Sequence, residues 1–126
     1  MKAKLINEGE ISNLLKPKSE EDLIEELFKL PIDKLNDMLI DYVWKGSYNM
    51  THLLIKAGAD VNCTRLEHFT PLMYAANNGH KQIAYLLIKN GADLNKKDSH
   101  GNTALSFASK RMRADIVKLL SKHNKK

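Results

Sequence analysis

Apolar residues in the middle of the chain recur at the spacing of two consecutive amphipathic helices. Two stripes fall at i, i+3 and i+4, and they are Leu72, Ala75, Ala76 and Ile83, Leu86, Leu87. Thr70 can cap the first helix through its hydroxyl, and Pro71 suits the first helical position because the N–H it lacks has no partner there. Asparagine and glycine follow each stripe, at 77–79 and 90–91, and tolerate the left-handed backbone of a helix end. The pattern predicts a helix, a turn, a second helix and a loop.

The arrangement recurs along the chain at a constant spacing, the one that separates Gly58 from Gly91. Gly-Ala-Asp-Val-Asn at 58–62 returns as Gly-Ala-Asp-Leu-Asn at 91–95, and leucine pairs occur at 53–54, 86–87 and 119–120. A fixed period of this kind indicates stacked units, each too small to bury its apolar face alone. We therefore predict that the first leucine of each pair lies in one interior column, which consists of Leu53, Leu86 and Leu119.

Three segments of the best-preserved unit keep a recognisable motif: 70–76 (Thr-Pro-Leu-Met-Tyr-Ala-Ala), 78–80 (Asn-Gly-His) and 86–95 (Leu-Leu-Ile-Lys-Asn-Gly-Ala-Asp-Leu-Asn). Together they resemble the ankyrin repeat. A second good copy begins at Asp98 and runs to the C-terminus, and a degenerate copy spans about residues 32–62. The resemblance implies an all-α solenoid of stacked helix pairs with projecting hairpin loops, and a role in binding proteins rather than in catalysis.

The expected organisation is an N-terminal helical cap followed by three repeats. The boundaries are 1–31 for the cap, 32–64 for the degenerate repeat, 65–97 for the second repeat and 98–126 for a C-terminal capping repeat. Residues 19–22 (Ser-Glu-Glu-Asp) resemble a capping box, and an apolar stripe follows until Pro31, which predicts a helix from about 20 to 30 that covers the first repeat. Residues 1–16 contain further apolar positions, and the pattern leaves open whether they form a short helix or stay mobile.

Two departures from the family pattern predict local irregularity. Arg65 and His68 stand where the family hairpin has Asp and Gly, so His68 is expected at positive φ at a cost of roughly 1 kcal/mol, or else the hairpin takes another shape. Met73 and Ser106 replace the histidine that usually follows Thr-Pro-Leu, which predicts the loss of the hydrogen bonds of that histidine.

Composition adds information chiefly through the distribution of charge along the chain. The chain has 126 residues, 43% apolar and 28% charged, which suits one folded domain. Residues 1–63 carry a net charge of −3 and residues 64–126 a net charge of +8. The single cysteine, Cys63, has no partner for a disulfide within the chain, which indicates a reducing compartment such as the cytoplasm. We expect neither a secretory signal nor a membrane span, because no apolar stretch is long enough.

The sequence gives no support for catalysis, a metal site or a cofactor. It lacks His-Glu-x-x-His and Cys-x-x-Cys motifs, and its glycines occur singly rather than in a phosphate-binding loop. Cys63 follows the loop at 58–62, in a position that often holds a small residue in ankyrin arrays, so we do not interpret it as a nucleophile. We expect no enzyme activity and no small-molecule substrate.

Candidate binding residues follow from the resemblance. The family binds partners through its hairpins and through the C-terminal end of the first helix of each unit. Here those positions are Trp44 and Lys45; Leu66, Glu67, Phe69, Asn77 and Asn78; and Ser99, His100, Asn102, Lys110 and Arg111. Two alternatives stay open: Trp44 is either an exposed anchor or packed under the helix at 20–30, and Phe69 is either presented or packed against the neighbouring hairpin.

The leading hypothesis is a non-enzymatic adaptor or inhibitor that binds another protein, apolar opposite Trp44 and acidic opposite Arg111. The alternative is an electrostatic binder of nucleic acid or another anionic surface through the basic C-terminal half. Lys supplies 17 of the 20 basic residues, and it lacks the planar fork that reads bases, which weighs against nucleic acid. A third possibility is an oligomer that completes the short array, although we expect a monomer.

Overall fold

The computed structural model describes residues 19–123, and these residues form helices joined by turns and hairpin loops, without β-strands. The helices are α1 (Glu20–Phe28), α2 (Ile32–Lys45), α3 (Tyr48–Lys56), α4 (Pro71–Asn78), α5 (Lys81–Lys89), α6 (Ala104–Lys110) and α7 (Ala114–His123), with a 3₁₀ turn at Leu66–His68. The predicted all-α class is confirmed. The question raised about residues 1–16 lies outside the described residues.

The helices form two layers. After α1 they come in pairs, α2 with α3, α4 with α5 and α6 with α7; the first helices pack on one another as an inner layer and the second helices as an outer layer. Ala75, Ala76 and Ala108 are completely buried, and such small side chains allow neighbouring helices to approach closely. The helix α1 lies within the range predicted for it, packs on α3 and buries Leu27.

The interior column is made by the second leucine of each pair, so the prediction for the first leucine needs correction. Leu54, Leu87 and Leu120 are 0%, 0% and 2% exposed. Leu53 and Leu86 are also buried, but Leu119 is only half-buried and lines a cavity on the outer surface. The reason is the helical period: the second leucine falls on the same face as Ile83, four residues before Leu87, and that face meets the inner layer.

Hydroxyl side chains cap two of the inner helices, α4 and α6. Thr70 and Thr103 accept hydrogen bonds from the N–H groups of Met73 and Ser106, both at 3.2 Å. The bonds return in the other direction, because Ser106 Oγ accepts from Thr103 N at 3.3 Å and Met73 Sδ accepts from Thr70 N at 3.4 Å. Ser106 and Met73 thus each return one bond to the cap residue, the one from Met73 through a sulfur that is a weak acceptor; the predicted loss of the other bonds of the histidine stays a prediction.

The hairpin before α4 has the unusual backbone that its sequence predicts. His68 has φ +64° and its neighbour Glu67 has φ +60°, both in the left-handed region. The loop closes through hydrogen bonds from Arg65 N to Phe69 O at 3.1 Å and from His68 N to Arg65 O at 3.0 Å. Positive φ at His68 is confirmed, and the strain is shared with Glu67.

We find no helix between residues 19 and 123 with both the length and the apolar character that crossing a lipid bilayer requires.

Candidate functional site

Aromatic side chains surround a small cavity where the inner helices meet the hairpin before α4. We call this hairpin the second hairpin and the one before α6 the third hairpin. The cavity has a volume of about 80 Å³ and is lined by Trp44, Phe69, Met73, Tyr74, Asn77 and Phe107. These residues come from α2, α4 and α6 and from the end of the hairpin, so all three helix pairs contribute. We call it the aromatic cavity, and we call the surface made by the inner helices and hairpins the concave face.

Phe69 lines the aromatic cavity and contacts two other aromatic rings. Its ring meets Tyr74 edge-to-face with centroids 5.6 Å apart and meets Phe107 in the same way at 5.5 Å. All three rings are half-buried. Each such pair contributes about 0.5–1.5 kcal/mol beyond area burial. Phe69 thus packs in part, but its partner in the next repeat is Phe107 of helix α6 and the prediction named the neighbouring hairpin; Phe69 also lines the cavity.

Trp44 is the exposed member of the aromatic cavity. It lies near the end of α2 and is 58% exposed, which favours the anchor interpretation over packing under α1. Its carbonyl oxygen is 3.2 Å from Asn78 Nδ2 and 3.2 Å from His80 Nε2. Gly46 allows the His80 ring to come this close, since a Cβ there would lie 2.6 Å from ring atom Cε1. The second repeat therefore holds the backbone that carries Trp44.

Basic side chains flank the aromatic cavity at the end of α6. Arg111 Nε donates to Asn77 Oδ1 at 2.9 Å, and Lys110 Nζ lies 3.3 Å from Asn102 Oδ1. Asn77 in turn donates from its amide to Asn78 Oδ1 at 3.2 Å. Within residues 19–123 no carboxylate comes within ion-pair distance of Lys110 or Arg111. Both cations are exposed to solvent.

Arg65 ties the second hairpin to the first repeat. Its guanidinium donates to Asp41 Oδ1 at 2.8 Å and to the Asp37 carbonyl oxygen at 2.7 Å. Partial burial works against the cation, but the hydrogen bond and charge of Asp41 prevail and raise the pKa of Arg65. This contact fixes the hairpin beside α2, and Arg65 was not among the predicted site residues.

The hairpin tips form the outer rim of the concave face. Ser99 N donates to the Glu67 carbonyl oxygen at 2.9 Å, which joins the second and third hairpins. The His100 ring lies 3.9 Å from the Glu67 carboxylate, and Leu66 is 80% exposed at the tip of its loop. These four predicted residues are therefore neighbours on an exposed edge.

Five of the twelve residues selected from the sequence come together at the aromatic cavity, and four others lie on the hairpin rim. Trp44, Phe69 and Asn77 line the aromatic cavity, and Asn78 and Arg111 contact them. Lys45 instead lies over the Tyr42 ring on its own helix, at 5.3 Å from the ring centre.

Three lining residues were missed by sequence reasoning. Met73 forms a buried wall of the aromatic cavity, and Tyr74 and Phe107 supply two of its rings. Tyr74 and Phe107 occupy equivalent positions in successive repeats, so the period itself was a signal that two aromatic side chains would lie at the same place in adjacent layers.

Cys63 has the surroundings of a structural thiol. It is buried, and burial, with a smaller contribution from Asp60, raises the pKa of the Cys63 thiol to about 11. Its sulfur lies 3.8 Å from the Asn36 carbonyl oxygen. No group of three His, Cys, Asp or Glu side chains in the described part of the chain could hold a metal ion.

The sequence model of ankyrin repeats matches residues 39–126 in three copies. That match covers more than half of the chain, and the chain belongs to the ankyrin-repeat family. Members of this family are generally protein–protein interaction modules. A comparison with curated proteins gives no match.

Proposed function

We propose that this protein is a non-enzymatic adaptor or inhibitor that binds a partner protein through the concave face. The observation that carries the proposal is Trp44, 58% exposed on a backbone held by two side chains of the next repeat, at the edge of a cavity of about 80 Å³. Exposed tryptophan beside a preformed apolar pocket is typical of an interface anchor.

The chemistry of the concave face specifies the partner further. An apolar side chain of the partner enters the aromatic cavity beside Trp44, and carboxylates meet Lys110 and Arg111 at its basic end. Arg111 is pre-organised by its 2.9 Å hydrogen bond to Asn77, which lowers the entropic cost of holding a carboxylate. The apolar contact supplies affinity, and the charges supply orientation and a faster association rate.

The proposal extends to organisation and location. We assign residues 1–31 to an N-terminal cap and residues 32–64, 65–97 and 98–126 to three repeats, with the protein acting as a monomer in the cytoplasm. The buried free thiol of Cys63 supports a reducing compartment. The helix pairs α2–α3, α4–α5 and α6–α7 fall within these repeat boundaries.

Affinity capture from the native organism tests this function. Wild-type protein, Trp44→Ala and the double variant Lys110→Glu/Arg111→Glu are compared as bait, with Phe28→Ala as a control for loss of an exposed aromatic ring elsewhere. Phe28 is 62% exposed on α1. We expect one partner to be lost with both concave-face variants and kept with the control, all baits being folded by circular dichroism. Equal capture by wild type and both concave-face variants would eliminate the proposed face.

A further inference from the structure

The outer layer carries a second surface, distinct from the concave face. A groove of about 500 Å³ is lined by Tyr48, Lys81, Gln82, Tyr85 and Leu119, from α3, α5 and α7. We call it the outer groove. Its floor is apolar because the half-buried Leu119 and the rings of Tyr48 and Tyr85 border it, and the two rings are 42% and 50% exposed.

Charge on the helices around the outer groove has one dominant sign. The helices α3, α5 and α7 carry five exposed lysines and one exposed acid, Asp115; the lysines are Lys56, Lys81, Lys89, Lys118 and Lys122. A surface of this sign attracts an acidic partner and repels a basic one.

Comparing the lysines at equivalent repeat positions shows which of them already have an acidic partner within the protein. Lys56, Lys89 and Lys122 occupy equivalent positions in the three successive repeats. Lys56 forms an ion pair with Glu20 of the N-terminal helix α1. Across residues 19–123 none of Lys81, Lys89 and Lys122 has a carboxylate within ion-pair distance. Within the protein, the first lysine of the series is thus paired with a carboxylate that a helix presents, and the other two lysines have no carboxylate partner among the described residues.

Two features of the outer groove favour a protein helix over nucleic acid. The Tyr48 ring already stacks on His52, with centroids 6.2 Å apart, and Tyr85 meets His123 at 6.3 Å, so neither ring is free on all sides for a base. The cations on these three helices are lysines, which lack the planar fork of arginine.

We infer that the outer groove binds an acidic amphipathic helix of a partner protein. Its apolar side lies over Tyr85 and Leu119, and its carboxylates meet Lys81 and Lys89, which flank Tyr85 on the same face of α5 at i−4 and i+4. This surface is independent of the aromatic cavity, so it allows the protein to join two partners.

A titration followed by NMR tests the inference. The probe is a synthetic amphipathic helix with Glu on its polar face and Leu on its apolar face, and a scrambled peptide of the same composition is the control. With ¹⁵N-labelled full-length protein we expect amide shifts on α5 and α7 around Tyr85 and Leu119. Lys81→Glu/Lys89→Glu should weaken binding about tenfold or more, and affinity should fall as salt rises.

Matched variants separate this surface from the concave face. Trp44→Ala should leave binding of the probe helix unchanged, whereas Tyr85→Ala should weaken it. Because Lys81, Lys89 and Tyr85 are exposed, these substitutions should preserve the fold, which circular dichroism checks. The inference is overturned if the scrambled peptide binds equally well, if the shifts lie outside α5 and α7, or if single-stranded RNA or anionic vesicles bind in preference to the helix. None of these results would affect capture through Trp44.

Discussion

Backbone conformation at single residues sets the shape of the second hairpin. Glu67 and His68 both have φ near +60°, a region that costs a residue with a Cβ atom about 1 kcal/mol or more. The hairpin keeps this shape because Arg65 ties it to α2 and because Ser99 donates to the Glu67 carbonyl oxygen. The strain is local, so substitution at one residue should reveal it.

Replacing His68 by glycine should stabilise the protein. Glycine adopts positive φ without a steric penalty, and His68 is exposed, so little contact is lost. We expect His68→Gly to raise the free energy of unfolding by about 0.5–1 kcal/mol, measured by urea denaturation. His100→Gly is the control, because His100 is also an exposed hairpin histidine but is not among the positive-φ residues. A gain for His100→Gly equal to that for His68→Gly would contradict the explanation.

Hydrogen bonds to Asp98 in the third hairpin make the stability of the protein depend on pH in the acid range. Burial by itself would raise the pKa of Asp98, but N–H bonds from Asn102 at 2.8 Å and His100 at 2.9 Å outweigh it and lower the pKa. A lowered pKa in the folded state adds stability above the ordinary carboxyl range, and this contribution is lost as the pH falls through the folded pKa.

Asp98→Asn should therefore flatten the loss of stability in acid. We expect the difference between urea midpoints at neutral pH and just below the ordinary aspartate pKa to be smaller in the variant than in wild type. Asp93→Asn is the comparison, since the Asp93 carboxylate accepts a single backbone bond, from Asn95. If the two variants show the same acid dependence as wild type, the hydrogen bonds at Asp98 do not produce the effect.

Sequence reasoning at the residue scale succeeded where a residue departs from a repeat and failed where a contact joins repeats. His68 stands where the ankyrin hairpin has glycine, so its positive φ could be inferred from the resemblance to that family. The bonds from Arg65 to Asp41 and the Asp37 carbonyl depend on how two units sit against each other, which the period does not specify. The same limit explains why the sequence left Trp44 open between an exposed anchor and a residue packed under the helix at 20–30.

At the scale of the helices, burial follows from which face of an outer helix meets the inner layer. On the inward stripe of α5, Ile83 is 2% exposed and Leu87 is 0% exposed. Tyr85, on the opposite side of the same helix, is 50% exposed. The repeat period identified equivalent positions, but it could not choose between adjacent leucines. That choice depends on the angle at which each outer helix packs, a property of the assembled layers.

Truncating the inner leucine should be far more damaging than truncating an outer one. We expect Leu87→Ala to lower the free energy of unfolding by about 2–5 kcal/mol, because a fully buried side chain leaves a cavity. Leu119→Ala should cost much less, because Leu119 is half-buried and faces the outer groove. Urea denaturation monitored by circular dichroism measures both. A larger loss for Leu119→Ala would contradict the assignment of the interior column.

The whole molecule presents two surfaces of different character. The concave face combines the aromatic cavity with Lys110 and Arg111, and the outer layer combines tyrosine rings with a lysine series. Family membership predicts a binding protein but does not identify the partner. An aromatic cavity made by three helix pairs could not be derived from one unit, because its walls come from consecutive repeats.

Site-specific photo-crosslinking tests the central claim most directly, namely that the concave face at Trp44 contacts a partner protein. A benzophenone side chain is placed at Trp44 in one preparation and at Phe28 in another; because it is itself large and aromatic, it keeps the apolar contact that Trp44→Ala removes. Each preparation is irradiated in lysate of the native organism. We predict a discrete protein adduct from position 44 and no such adduct from position 28. Adding excess wild-type protein as a competitor should abolish the adduct, whereas adding the same excess of the Lys110→Glu/Arg111→Glu variant should not. An adduct from position 28 with none from position 44 would contradict the account.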